Sequence, residues 1–136
     1  MSVQGLAHVG IIVEDLSPVV GLFQDRLGLE VRGPEPEPDL GLEVLWVQAG
    51  ATTLEFIAPT TPDSRAAAAL RRGEGGVHHV ALAVEGLDAL LEELAGAGVP
   101  ILDRRPRQGA HGSRVSFLDP SAVGARVELV EEAHGN

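Results

Sequence analysis

The chain repeats itself, and the repeat limits the folds open to it. Residues 7–16 read AHVGIIVEDL and residues 78–87 read HHVALAVEGL. His8, Val9, Val13, Glu14 and Leu16 recur as His79, Val80, Val84, Glu85 and Leu87, an offset of 71 residues. LEFI at 54–57 returns as VELV at 127–130, so Glu55 answers Glu128 at an offset of 73 residues. Self-similarity at a fixed spacing marks a duplicated supersecondary unit.

Each copy parses into the same elements. In the first, His8–Val13 is a β-branched strand. Asp15 or Ser17 caps a helix with Pro18 in its first turn, and Gly28 closes it. Leu29–Arg32 is a short strand. Gly33–Pro38 is expected to be a loop, because its prolines cannot donate to a ladder. Leu42–Gln48 and Thr52–Ala58 form strands about a turn at Ala49–Gly50. In the second copy Val77–Val84 is a strand and Leu87–Ala97 a helix ended by Gly98. Val99–Asp103 is a short strand and Arg104–Gly112 a polar loop. Arg114–Leu118 and Arg126–Val130 are strands joined by a DPSAVG turn. Asp63 or Ser64 caps an Ala-rich linker helix that ends at Gly73–Gly76. The expected architecture is α+β. Two tandem βαβββ modules, 6–60 and 77–132 with a helical linker at 61–76, form a cupped, pseudo-two-fold mixed sheet with helices on its outer face.

Composition excludes several functions. The absence of cysteine removes disulfides, Cys–zinc sites and thiol catalysis. Asp and Glu number 20 against 10 Arg, with no Lys, a formal charge of −10 that disfavours nucleic acid and anionic membranes. Aromatics are only 3%, too few for base-stacking platforms. No apolar run is long enough to span a bilayer. The first residues lack the charged and apolar regions of a secretion signal, so a cytoplasmic location is expected.

Alternation assigns faces to the strands. Val9, Ile11 and Val13 share the face to be buried under the helix, as do Val80, Leu82 and Val84 in the second copy. The opposite faces carry His8 and His79 among small residues. Leu54 and Phe56 belong to the core while Glu55 points away, and Val127 and Leu129 flank an outward Glu128. Two imidazoles and two carboxylates make a donor set suited to one divalent metal such as Co, Ni, Mn or Zn.

These segments resemble the vicinal oxygen chelate superfamily, which includes the glyoxalases, bleomycin resistance proteins and ring-cleaving dioxygenases. The resemblance rests on LAHVGIIVEDL, TTLEFIAP, RRGEGGVHHVALAVEGLDALLEELAGAGV, RQGAHGSRVSFLDP and GARVELVE. Within the superfamily the chain is most similar to the methylmalonyl-CoA epimerases. The resemblance implies that His8, Glu55, His79 and Glu128 are the metal ligands. His79 is the match rather than His78, because it directly precedes the strand's Val. It implies a metal-dependent epimerase that moves the α-proton of a CoA thioester through a stabilised enolate, with Glu128 as the leading ligand-base and Glu55 as the other carboxylate. It also implies a homodimer.

Arg104, Arg105, Arg107 and Arg114 cluster about the loop of the second copy and suit the phosphates of a CoA tail. His111 lies in that loop, and His134 lies in the tail. The family's His and Lys before the last strand are replaced here by Asp119 and Ser121. A second-base Glu found in some members aligns with Val44, one residue from Glu43. Asp39 and Trp46 carry no assigned role. A glyoxalase I-like lyase acting on a glutathione adduct is the runner-up. A non-catalytic antibiotic-binding protein and a ring-cleaving dioxygenase are further alternatives; the four retained ligands argue against the former, and the extra Glu55 against the latter.

Overall fold

A computed structural model describes residues 2–133. The expected α+β fold is present, with eight strands and three helices among the described residues. The strands are β1 (Val3–Ile12), β2 (Glu30–Glu37), β3 (Leu42–Ala49), β4 (Thr52–Pro59), β5 (Gly76–Val84), β6 (Arg107–Gln108), β7 (Arg114–Phe117) and β8 (Val127–Glu131). The helices are α1 (Ser17–Val19), which continues as a π-helix over Val20–Arg26, α2 (Arg65–Arg71) and α3 (Leu87–Gly96). None is long and apolar enough to cross a membrane.

The chain divides into two compact units. One is His8–His78, with strand order β2-β3-β4-β1. β1 runs parallel to β4, and the two remaining pairings are antiparallel. Its core gathers Leu16, Val19, Leu45, Val47 and Phe56, with Phe23 set 5.4 Å from the Phe56 ring. Ser64 caps α2 by accepting the Ala67 N–H at 3.1 Å, as its position before the Ala run predicts. The small side chains of α2 let it lie close over Ile12, which is therefore buried although it shares the His8 face.

The other unit holds the residues up to Ala7 and those from His79 onward. Its strand order is β5-β8-β7-β6, with β5 parallel to β8 and the rest antiparallel, so the connectivity of the first unit is repeated. The opening residues of β1 lie beside β5. There the Ser2 carbonyl accepts the Glu85 N–H at 2.9 Å, and Ala7 packs on Ala81, Val115 and Val130. Val84, Leu87, Leu91 and Leu129 form the core under α3.

Four boundaries differ from expectation. β1 starts at Val3, five residues before the expected His8. The Pro-rich segment Gly33–Pro38 is mostly strand, not loop. As the edge strand, β2 can keep prolines where no partner needs a donor, and a register shift between Arg32 and Glu35 absorbs the misfit. The expected strand Val99–Asp103 reduces to one bridge, Ile101 to Leu118. Leu102 and Asp103 both donate to the Phe117 carbonyl, and Asp103 Oδ2 accepts the Phe117 N–H at 2.9 Å. The Asp side chain thus does what a neighbouring strand would do, and the fourth strand forms later, at Arg107–Gln108. The first helix widens to π geometry after Val19, across Val20 and Gly21, which are poor helix formers.

Candidate metal centre

In the His8–His78 unit, the β3–β4 hairpin turns at Gly50–Ala51 and sets Trp46 directly across from Glu55. Parallel pairing of β1 with β4 sets Gly10 beside Glu55. His8 lies two residues before Gly10 and so on the same face. With no side chain at position 10, the carboxylate reaches toward the imidazole: His8 Nε2 is 3.9 Å from Glu55 Oε2. The Trp46 indole donates to that same oxygen at 3.1 Å.

The other unit repeats this construction. Parallel pairing sets Ala81 beside Glu128, with His79 two residues earlier on the same face. His79 Nε2 is 3.6 Å from Glu128 Oε1. Phe117 stands across from Glu128 and meets the His79 ring edge-on, centroids 5.2 Å apart. This pair is the more enclosed: His79 is 6% and Glu128 7% exposed, against side-chain values of 15% and 18% for His8 and Glu55.

Both pairs suit a cation by their donor chemistry. Each offers one neutral nitrogen and one anionic oxygen, the mix that borderline divalent metals accept. Bonds of about 2.0–2.2 Å place neighbouring ligand atoms roughly 3 Å apart. The observed separations of 3.6 and 3.9 Å lie a small side-chain adjustment away.

The cations of the second copy are placed differently from one another. Arg104 pairs with Glu92 at 2.8 Å and Arg107 with Asp103 at 3.2 Å, both on an exposed rim. Arg105 lines a shallow groove with Arg104, Leu91 and Pro106. Arg114 grips Asp88 through two bonds and Glu131 through a third, so its guanidinium ties α3 to β8. Hydrogen bonding by Arg114 holds Asp88 below the usual carboxylate range, and Asp88 and Glu131 raise Arg114 in turn. His111 sits at the tip of a tight turn with φ 55°, a conformation uncommon outside glycine. His134 lies outside the described residues.

Asp119 accepts the Ser121 N–H at 2.9 Å, and that bond lowers its carboxyl. Asp39 occupies the turn Pro38–Leu40. Glu43 alternates with the fully buried Leu45 and Val47, and so faces away from Trp46 and Glu55. Trp46 is the member that face alternation alone did not assign. The hairpin register could have found it, since a two-residue turn at Gly50–Ala51 makes Trp46 the cross-strand partner of Glu55.

Comparison with known proteins gives a consistent result. A family model described as Glyoxalase/Bleomycin resistance protein/Dioxygenase superfamily matches residues 7–117. The ethylmalonyl-CoA/methylmalonyl-CoA epimerase of Cereibacter sphaeroides is 37% identical over 127 residues, covering 91% of this chain and 95% of that protein. The mitochondrial methylmalonyl-CoA epimerase of Bos taurus is 35% identical over 129 residues, covering 94% and 74%. A variant of Streptomyces coelicolor methylmalonyl-CoA epimerase in complex with 2-nitronate-propionyl-CoA superposes with a TM-score of 0.86 at 31% identity, covering 98% and 97%.

Proposed function

The chain belongs to the glyoxalase/bleomycin resistance protein/dioxygenase superfamily, and from that premise we propose that it is a metal-dependent epimerase of a malonyl-type CoA thioester, with methylmalonyl-CoA as the first substrate to test. One observation carries the reading. The same His–Glu pair is built twice, in the same strand register, each time with its donor atoms less than 4 Å apart. In this reading His8, Glu55, His79 and Glu128 together hold one divalent cation of the Co, Ni, Mn or Zn group. The support is the duplication of the ligands, the donor chemistry of each pair and the relatives' activity.

When bound, such a cation supplies positive charge beside the thioester oxygen, where negative charge gathers as the α-proton leaves. The chain's own residues do the rest. Glu128 takes the α-proton at a carboxylate oxygen, and a proton returns to the opposite face of the carbon. A positioned base of this kind contributes about 10²–10⁴-fold. His79 and Phe117 enclose Glu128 and limit water around it. Arg105, Arg107 and His111, on or beside the exposed loop of the second unit, are assigned to the CoA tail, whose phosphates suit guanidinium groups. Arg114, held by two carboxylates, has a holding role instead.

The test is an assay of metal-loaded protein against two substrates. Solvent deuterium entering C2 of methylmalonyl-CoA, with inversion at that carbon, is the expected result. S-lactoylglutathione formation without such exchange would move the assignment to the glyoxalase branch. Loss of neither activity in His79→Ala would remove the proposed site.

A further inference from the structure

We infer that Trp46 is a positioning residue for the metal, its indole N–H holding Glu55 in the conformation that faces His8. The inference rests on the cation reading above and deepens it. Trp46 is the chain's only tryptophan, and it is 7% exposed. A buried indole N–H needs an acceptor, and here the acceptor is a carboxylate oxygen, Glu55 Oε2, at 3.1 Å. That same oxygen is the one nearest His8 Nε2. A carboxylate oxygen has two lone pairs. One receives the indole N–H, and the direction of the other is thereby set toward the imidazole.

The repeat sharpens the point. Phe117 follows Trp46 by 71 residues, the spacing that separates His8 from His79, and it stands across from Glu128 as Trp46 stands across from Glu55. Both copies keep an aromatic ring at this place, but only Trp46 brings a donor. Bulk alone would be met by a phenyl ring in either copy. The donor makes the two carboxylates unlike: Glu55 is fixed by a neighbouring strand, whereas Phe117 gives Glu128 no such tether. A fixed ligand and a ligand-base that must loosen are the two roles the epimerase reading requires.

Partners of this outer kind set ligand orientation, and removing one costs about 10–100-fold in metal affinity. The experiment is a calorimetric titration of metal-stripped protein with Zn²⁺, for the wild type and for Trp46→Phe, which keeps the ring and removes the N–H. Zn²⁺ affinity about 10–100-fold weaker in W46F, with thermal unfolding of the metal-free protein still cooperative, is expected. A second measurement needs no variant. The wild type's single indole N–H resonance should shift as Zn²⁺ is added and stop shifting at saturation. A wild type that takes up Zn²⁺ while W46F binds within twofold, or while the indole resonance stays in place, overturns the role of Trp46 alone. A wild type that takes up no Zn²⁺ overturns the cation reading itself.

Discussion

Glu131, the last residue of β8, accepts the backbone N–H of Leu87, the first residue of α3, at 2.9 Å. The residue preceding α3 is Gly86, in the left-handed region and without a side chain to cap the helix. The cap therefore comes from 44 positions along the chain. The other oxygen of Glu131 binds Arg114 at 3.0 Å, and Arg114 returns to Asp88 in the first turn of the same helix. Glu131→Ala removes both cap and anchor, and should cost about 1–2 kcal/mol, the usual loss for a helix cap. Glu131→Gln keeps an acceptor and should lose less. Urea midpoints with an unchanged slope would check both, and an E131A midpoint equal to wild type would discard the capping account.

The same network sets an acid limb. Asp88 has its carboxyl lowered in the folded protein, chiefly by the hydrogen bond from Arg114. A lowered folded value means the native state holds the proton more weakly than the unfolded chain does. The stabilisation is complete above the ordinary Asp value of about 3.9 and disappears as pH falls through the lowered value. Asp88→Asn should therefore be less stable than wild type at neutral pH and match it near pH 2. The pair is exposed, so 0.5 M salt should shrink the neutral-pH difference. Denaturation series over pH and salt would check this; a difference that persists unchanged at pH 2 would assign it to packing instead.

Much of this was legible because strands write their two faces into sequence. His8, Glu55, His79 and Glu128 alternate with branched apolar residues, and the 71-residue repeat names their counterparts before any pairing is known. Periodicity alone could not place Ile12, whose face is covered by α2 only because three alanines there allow close approach. The Pro-rich strand was hidden because a proline forbids a ladder bond on one side only, and which side faces a neighbour is a property of the sheet. Arg114 looked like a phosphate ligand because its acidic partners, Asp88 and Glu131, lie 26 and 17 residues away in sequence.

Gly41 gives a prediction independent of the site. It closes the turn before β3 with φ 66°, and its carbonyl accepts the N–H groups of both Thr60 and Thr61. A Cβ there would overlap the Thr61 hydroxyl and crowd Ser64, the cap of α2. The left-handed conformation alone costs roughly 1–2 kcal/mol for a residue with a side chain. Gly41→Ala should therefore lose at least about 2 kcal/mol of stability. Gly50→Ala, where nothing lies within 4 Å of the added atom, should pay only the conformational part. Thermal unfolding of the two variants side by side would check the order, and equal losses would show that crowding at Thr61 is relieved.

Glu55 and Glu128 occupy matching places in the repeat, yet their substitutions should read out differently. Glu128 is assigned the proton and Glu55 a fixed ligand's place. Glu128→Gln keeps an oxygen donor and removes the base, so solvent exchange at the substrate's α-carbon should fall about 10²–10⁴-fold. Glu55→Gln also keeps an oxygen donor, and the side-chain carbonyl can still accept the Trp46 N–H if the amide is turned that way. Its main effect should be weaker metal binding, with turnover largely recovered when the metal is in excess. Exchange rates for both variants across a metal titration separate the two roles. Recovery of E128Q at high metal, or failure of E55Q to recover, would exchange their assignments and make Glu55 the base.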